Sequence, residues 1–211
     1  NNHAEEEGGG IYFWNTNNSE LIDSEISGSE KGIYIENTSY LILQNVKIMD
    51  HIEYGIKSKH SDHLTFIYVE IFNNSGFGIH SEDSEYFMHN VTMVNNGYGI
   101  SGVGDDWSGY IIRNSIIWNS PLIFTATNAI YVSHSNYSGI TDEDVYYAGQ
   151  DAIETSGNPN IVWGTEMDED EIINNNLDGL YPTLPFDMFN PTFVNPDEEN
   201  FNLAPFSLCL D

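Results

Sequence analysis

Isoleucine returns at one position of a repeat along the first half of the chain. It follows a glycine each time, and successive Gly-Ile pairs are separated by nearly equal steps of about 22 residues. The isoleucines of this column are Ile11, Ile33, Ile56, Ile79 and Ile100. A pattern that recurs with a period of roughly 20 to 50 residues is typical of repeat architectures. The chain is therefore predicted to consist of similar units stacked along one axis.

A second stretch of each repeat carries three more columns of mostly apolar residues, which return at nearly the same steps as the isoleucines. The columns are Leu21, Leu43, Phe66, Met88 and Ile112; Ser24, Val46, Val69, Val91 and Ser115; and Ile26, Ile48, Ile71, Met93 and Ile117. A unit of about 22 residues with two short strands and no helix cannot bury its own apolar face. The pattern thus predicts an all-β solenoid of parallel strands, with coils of about 22 residues and these columns inside.

Polar and aromatic positions follow the same register. A column of mostly amides and acids, predicted to form a side-chain ladder, consists of Asp23, Asn45, Tyr68, Asn90 and Asn114. Lys47 and Lys59 each fall between glutamates of the preceding and the following coil, as expected if neighbouring coils touch. Tyr54, Phe77 and Tyr98 precede the repeated glycine and are expected to stack near a bend.

Several phrases of the chain resemble the right-handed parallel β-helix repeat proteins of the pectate-lyase-like group. The phrases are Gly8-Gly9-Gly10-Ile11-Tyr12-Phe13, Asn73-Asn74-Ser75-Gly76-Phe77-Gly78-Ile79 and Arg113-Asn114-Ser115-Ile116-Ile117-Trp118-Asn119. The ending, from Pro191 to Asp211, is similar to the segment that closes such helices in large exported bacterial proteins. The resemblance covers most of the chain. It implies a right-handed parallel β-helix, an extracellular or cell-surface location, and a place within a longer polypeptide whose other domains are its partners.

The repeat becomes irregular towards the C-terminus. The next strand that resembles the isoleucine strand, 129–132, begins well over one period after Ile100, which predicts an insertion in that coil. From residue 141 onwards no period survives, and Gly, Pro, Asn and acidic residues accumulate. We expect β-helix coils over 1–140 and an irregular C-terminal cap of the same domain over 141–211, because a solenoid core must be covered at its end.

The charge of the chain narrows the range of partners. Its 211 residues include 5 Lys+Arg and 33 Asp+Glu, for a net charge of −28. Such a surface repels phosphate backbones and anionic lipids, so neither nucleic acid nor membrane insertion is expected. Cys209 is the one cysteine, which excludes an intrachain disulfide framework.

One string has the chemistry of a catalytic site. Gly104-Asp105-Asp106 resembles the paired acids of polygalacturonase-like β-helix hydrolases, and Arg113 is the one arginine available as the base of a lyase. The other strings of those hydrolases, Asn-Thr-Asp, Gly-His-Gly and Arg-Ile-Lys, do not occur. An acidic turn is therefore the favoured interpretation. The alternative is a polysaccharide lyase or glycoside hydrolase that acts on an acidic polysaccharide through Asp105, Asp106 and Arg113.

Two further groups are candidates for ligand and metal binding. Outward aromatic residues can stack on sugar rings, and a locally basic spot can contact an anionic glycan; these ligand candidates are Tyr12, Trp14, Tyr34, Lys57 and His80. Acidic clusters in the C-terminal segment offer oxygen ligands suited to Ca²⁺, at Asp142, Asp144, Asp168 and Asp170. No other cofactor is expected. The favoured function is a non-catalytic secreted or cell-surface module, structural or adhesive, that contacts polysaccharide.

Overall fold

The computed structural model describes residues 9–103, 109–118 and 120 in full. It also describes the backbone of seven later strands, the last of which ends at Leu203. Seventeen strands and no helix occur in this part of the chain. No helix there could cross a lipid bilayer.

The strands form three ladders of parallel neighbours, one on each side of the coil. The first ladder contains β1 (Ile11–Trp14), β3 (Lys31–Glu36), the starts of β5 (Tyr54–Phe72) and β6 (Phe77–His89), β8 (Tyr98–Val103) and β11 (Leu122–Phe124). The second contains the starts of β2 (Glu20–Ser27) and β4 (Ile42–Met49), the middle of β5, the end of β6, β9 (Gly109–Arg113), β12 (Ala129–Ser133) and β14 (Ile153–Thr155). The third contains the ends of β2, β4 and β5, then β7 (Thr92–Val94), β10 (Ile116–Trp118), β13 (Asn136–Ser138) and β15 (Ile161–Trp163).

The predicted apolar columns are confirmed as interior ladders. The isoleucines of the Gly-Ile pairs are register partners in consecutive coils, and Ile33, Ile56, Ile79 and Ile100 are fully buried. The Leu43 and Ile48 columns line the same core from the second and third ladders. Residues that are one repeat apart in the sequence are thus neighbours in the structure, because each coil places equivalent side chains one strand spacing from those of the next coil.

The continuation beyond Ile100 differs from the prediction. Ile100 pairs with Leu122, so the isoleucine column continues after one ordinary period of the repeat, without a large insertion. Ile130 pairs instead with Tyr110 on the second ladder. The sequence pattern missed Leu122 because no glycine precedes it. Parallel pairing continues to Trp163, and β16 (Phe193–Asn195) and β17 (Asn200–Leu203) form an antiparallel pair. The division into coils and cap at residue 140 stays a prediction.

Residues with positive φ form the corners between the ladders. The column that was predicted as an amide ladder occupies the corner between the second and third ladders, and all five of its members have φ between 49° and 56°. Asparagine tolerates this left-handed conformation better than most residues, which explains its recurrence there. One pair of these side chains is hydrogen-bonded, since Asn45 Nδ2 donates to Asp23 Oδ1 at 2.6 Å. Tyr68 interrupts the column and is 60% exposed.

A second column of polar residues, called the buried amide ladder below because Asn74 and Asn96 lie at its centre, occupies the corner between the third and first ladders. Its members are Ser29, His51, Asn74, Asn96 and Ser120, and all are buried. The side chain of each of the last four accepts the backbone N–H of the member before it, at 3.0 to 3.3 Å. This ladder satisfies donors that the corner would otherwise leave unpaired inside the protein.

A matching ladder of hydroxyl groups occupies the corner between the first and second ladders. Thr38 N–H donates to Ser61 Oγ at 3.1 Å, and Ser61 N–H donates to Ser84 Oγ at 3.2 Å. The Ser61 hydroxyl in turn donates to the Lys59 carbonyl at 2.9 Å. At both of these corners, side chains therefore bond to the backbone of the neighbouring coil.

Two tyrosines fill the core where the earlier coils contain smaller residues. Tyr86 and Tyr110 are fully buried and stack with ring centroids 5.5 Å apart. Tyr86 pairs in register with Leu64 of the preceding coil and with Tyr110 of the following one. The Tyr86 hydroxyl donates to Ser58 Oγ at 2.5 Å, so its polar end is satisfied inside the coil. Burial raises the pKa of both phenols well above the ordinary value, so both side chains stay neutral and act as packing residues.

Candidate polysaccharide-contacting face

The outward surface of the first ladder, called the first face below, carries two adjacent columns of side chains. One column consists of Tyr12, Tyr34, Lys57, His80 and Ser101, and the other of Trp14, Glu36, Lys59, Glu82 and Val103. Side chains alternate across a strand, so these residues point away from the buried Ile33 and Ile35 columns. All five predicted ligand residues therefore lie on one face.

The first coils give this face an aromatic end. The rings of Tyr12 and Tyr34 lie 5.0 Å apart at 32° to each other. Tyr12 is 46% exposed and Trp14 58% exposed, whereas Tyr34 is only 4% exposed. The Tyr12 hydroxyl donates to Glu36 Oε2 at 2.6 Å, which orients its ring. Tyr34 therefore packs against the exposed Tyr12 ring, and Tyr12 and Trp14 are the rings that a ligand can reach.

The middle coils give the face a charged end, centred on Glu82. Its carboxylate lies 3.7 Å from Lys57 Nζ, 3.9 Å from Lys59 Nζ and 3.5 Å from His80 Nε2. Lys57 Nζ also lies 5.7 Å from the centroid of the Tyr34 ring, close enough for a cation–π contact. The predicted placement of Lys59 between Glu36 and Glu82 is confirmed by the register. Partly exposed pairs of this kind add little stability, but they bring two ammonium groups close to one carboxylate.

Two histidines, His60 and His63, follow Lys59 closely in the sequence. His60 and His63 lie on the corner beside the first face, where His60 Nδ1 is 3.3 Å from Asp83 Oδ2 and His63 Nδ1 is 3.0 Å from Asp62 Oδ2. A hydrogen bond from Ser39 lowers the pKa of Asp62, and the bond from His63 acts in the same direction. Each of these two histidines is thus paired locally, while Lys57, Lys59 and His80 remain on the face.

An aromatic stack borders the charged end, as the sequence indicated. Tyr54, Phe77 and Tyr98 are register partners, and the Phe77 and Tyr98 rings stack with centroids 5.3 Å apart. Phe77 also contacts the His80 ring, with centroids 4.9 Å apart. These contacts place an apolar surface next to His80.

Arg113 lies on another side of the coil. It ends β9 on the second ladder, pairs in register with His89, and is exposed. It makes no ion pair with any residue that the structure describes. The structure therefore does not bring Arg113 to the first face. Asp105 and Asp106, the other two residues of the catalytic alternative, lie outside the described residues.

The candidate calcium ligands Asp142, Asp144, Asp168 and Asp170 also lie outside the described residues. Within the described ranges, no group of three or more His, Cys, Asp and Glu side chains is arranged to hold a metal ion. The calcium site therefore stays a prediction.

Sequence reasoning missed two residues that organise the structure. His51 showed no partner pattern, yet it belongs to the buried amide ladder. Its signal was its spacing, because the steps from Ser29 to His51 and from His51 to Asn74 are those of the repeat. Glu82 was predicted as a neighbour of Lys59, but its contacts with Lys57 and His80 depend on side-chain direction and had no signal in the sequence.

One of the comparisons with known proteins, that with protein-family models, supports this architecture. A family model described as right handed beta helix region matches residues 1–106. No curated protein matches the chain. A solved structure of QnrB1, a plasmid-mediated fluoroquinolone resistance protein, is matched at 10% sequence identity and a TM-score of 0.19, over 78% of this chain and 97% of that one. Since the family model covers half of the sequence and the observed coils are parallel and in register, the chain belongs to the right-handed β-helix family.

Proposed function

We propose that this chain is a non-catalytic β-helix module of a secreted or cell-surface protein, with a structural or adhesive role, and that its first face contacts polysaccharide. The observation that carries the proposal is the exposed pair Tyr12 and Trp14, which lies beside Tyr34 and Lys57 on one flat surface. Exposed aromatic rings on a rigid sheet offer stacking surface at little entropic cost. Other domains of the same polypeptide are the proposed neighbours of the module.

The charged end of the face suits a polysaccharide that carries carboxylates. Lys57 and Lys59 both lie beside Glu82, so their two ammonium groups are close together on the face where a ligand would meet them. Most of the chain repels anions because its net charge is −28, and this lysine pair reduces the repulsion that a uronate chain would meet on the first face. A neutral polysaccharide would use the aromatic end alone. If calcium binds the acidic C-terminal segment, it would further reduce the repulsion.

The test is a binding and turnover screen of the purified chain against uronate-containing and neutral polysaccharides, with calcium and with a chelator. We expect binding without release of shorter products. Replacing both rings, Tyr12→Ala with Trp14→Ala, should weaken binding about thirtyfold, since each of the two stacking contacts contributes on the order of 1 kcal/mol. The matched control is Tyr68→Ala, which removes an equally exposed tyrosine from a corner away from the first face.

Two results would contradict the proposal. Binding that is unchanged in the double variant but weakened by Tyr68→Ala would place the contact elsewhere. Release of unsaturated or reducing products by the wild-type chain would establish the enzyme alternative, and its loss in an Arg113→Gln variant would assign the reaction to the second ladder.

A further inference from the structure

His51 takes the place of an amide in the buried ladder. Ser29 N–H donates to His51 Nδ1 at 3.3 Å, just as the His51 N–H donates to Asn74 Oδ1 at 3.1 Å. The other ring nitrogen, Nε2, lies 3.2 Å from the Ile26 carbonyl oxygen. In the next coil Asn74 Nδ2 donates to the equivalent carbonyl, that of Ile48, at 3.4 Å. The ring therefore reproduces these two bonds of the asparagine when Nε2 carries the proton and Nδ1 does not.

This arrangement fits only the neutral ring. A second proton on Nδ1 would leave Ser29 N–H without its acceptor and would place a positive charge at a fully buried position. The Ser29 carbonyl, also 3.3 Å from Nδ1, could accept that proton but cannot replace the lost acceptor. Asn74 and Asn96 do not titrate, so this weakness is confined to one step of the ladder, the step that joins the first coil to the second.

We propose that His51 makes the attachment of the first coil to the rest of the solenoid sensitive to acid. Protonation of Nδ1 would remove the acceptor of the Ser29 N–H and leave a charge buried against the first coil, whereas the bond from Nε2 to the Ile26 carbonyl would persist. The later coils, held by Asn74 and Asn96, would keep their ladder. The first coil would then open before the others as the pH falls.

The surroundings of His51 both lower and raise the pKa of its ring. Burial lowers the pKa of His51 below its ordinary value of 6.5, while the hydrogen bonds to Ser29 and Ile26 and the charge of Asp50 oppose this shift. In the adjoining turns Lys31 Nζ pairs with Glu53 Oε2 at 3.9 Å, and the Glu30 carbonyl accepts the backbone N–H of Glu53. Because the folded pKa lies below the unfolded one, the unfolded state takes up the proton first. The stabilisation is therefore complete above pH 6.5 and is lost as the pH falls below it.

Hydrogen exchange tests the proposal directly. After correction for the intrinsic pH dependence of exchange, protection of the β2 amides in the wild-type chain should fall by up to about tenfold per pH unit below 6.5. Protection of β8 should stay nearly constant. The variant His51→Asn gives this position the same residue as Asn74 and Asn96 in the next two coils, and it should keep its β2 protection. The matched control His89→Asn removes an exposed histidine from the second ladder and should behave like the wild type.

Two outcomes would overturn the proposal. One is a loss of β2 protection in His51→Asn as large as in the wild type. The other comes from nitrogen NMR of the His51 ring in the wild-type chain, which does not depend on the variant folding. At pH 6.5, where an ordinary imidazole is half protonated, we expect a mostly neutral ring with the proton on Nε2, and a ring at least half charged in the folded chain at that pH would show that the buried site accepts the proton without loss.

Discussion

The variant Ile56→Asp should fail to form a stable solenoid. Ile56 is fully buried and contacts its column partners Ile33 and Ile79 in the coils on either side. A carboxylate there would lose its hydration with no cation or donor inside the apolar ladder, and the expected loss of unfolding free energy exceeds about 4 kcal/mol. Thermal unfolding followed by circular dichroism should show no cooperative transition, or one far below that of the wild type.

The control for this prediction is Ile22→Asp. Ile22 is also an isoleucine on a parallel strand, but it points outward on the second ladder and is 43% exposed. The same substitution should therefore change the stability by less than about 1 kcal/mol. Equal melting of the two variants would mean that the inward and outward positions have been assigned wrongly, and with them the composition of the first face.

The variant Asn74→Asp should lose almost as much stability as Ile56→Asp, although the aspartate side chain has nearly the same shape as that of asparagine. Asn74 Nδ2 donates to Asn96 Oδ1 at 2.8 Å and to the Ile48 carbonyl at 3.4 Å. A carboxylate has no proton to donate at neutral pH, so its oxygen would face these two acceptors and repel them. Asn74 is fully buried, and an unpaired charge in such a position costs on the order of 3 to 5 kcal/mol. Chemical denaturation at neutral pH should show this loss.

The pH dependence distinguishes this cause from a general packing defect. Burial raises the folded pKa of the introduced carboxyl above its unfolded value of about 3.9, so stability is lost as the pH rises and recovers as the pH falls towards that value. Asn37→Asp is the control, because Asn37 is exposed at a corner. A loss in Asn74→Asp that does not depend on pH would refute the hydrogen-bonded ladder as its cause.

The interior of this fold was predictable because in-register stacking makes sequence spacing and contact equivalent. Every coil repeats the same environment, so the columns headed by Ile11, Leu21 and Ile26 could be aligned by eye. The prediction failed where the spacing stayed but the residue type changed. Leu122 continues the first column without its glycine, and His51 continues an asparagine ladder with a ring.

The corners were harder to assign because asparagine suits two different roles there. At the Asn45 corner it tolerates a positive φ and is exposed. At the Asn74 corner it is buried, and its amide bonds to the neighbouring coil. Both roles produce a column of asparagines at the same steps, and the sequence does not distinguish them. The amide ladder was therefore expected one corner away from where it lies.

The candidate face was partly predictable for the same reason as the core. Alternation along a strand placed Tyr12, Trp14 and Tyr34 outside, and the register confirms that they share a face with Lys57. Spacing alone did not reveal that Tyr34 is covered by its neighbours, because burial depends on side-chain direction. The acidic clusters of the C-terminal segment followed no repeat, so the sequence offered no register from which to place them.

Cysteine cross-linking tests the central claim, that the repeats stack in register as successive coils and so align the first face. In a Cys209→Ser background, Glu36→Cys with Lys59→Cys places thiols on register partners, whose Cα atoms lie about 4.8 Å apart. This pair should form a disulfide readily. Glu36→Cys with Lys57→Cys uses a position two residues out of register, beyond the reach of a relaxed disulfide, and should oxidise at least about tenfold more slowly. Equal or reversed rates would contradict the register, and with it the alignment of Tyr12, Tyr34 and Lys57 on one face.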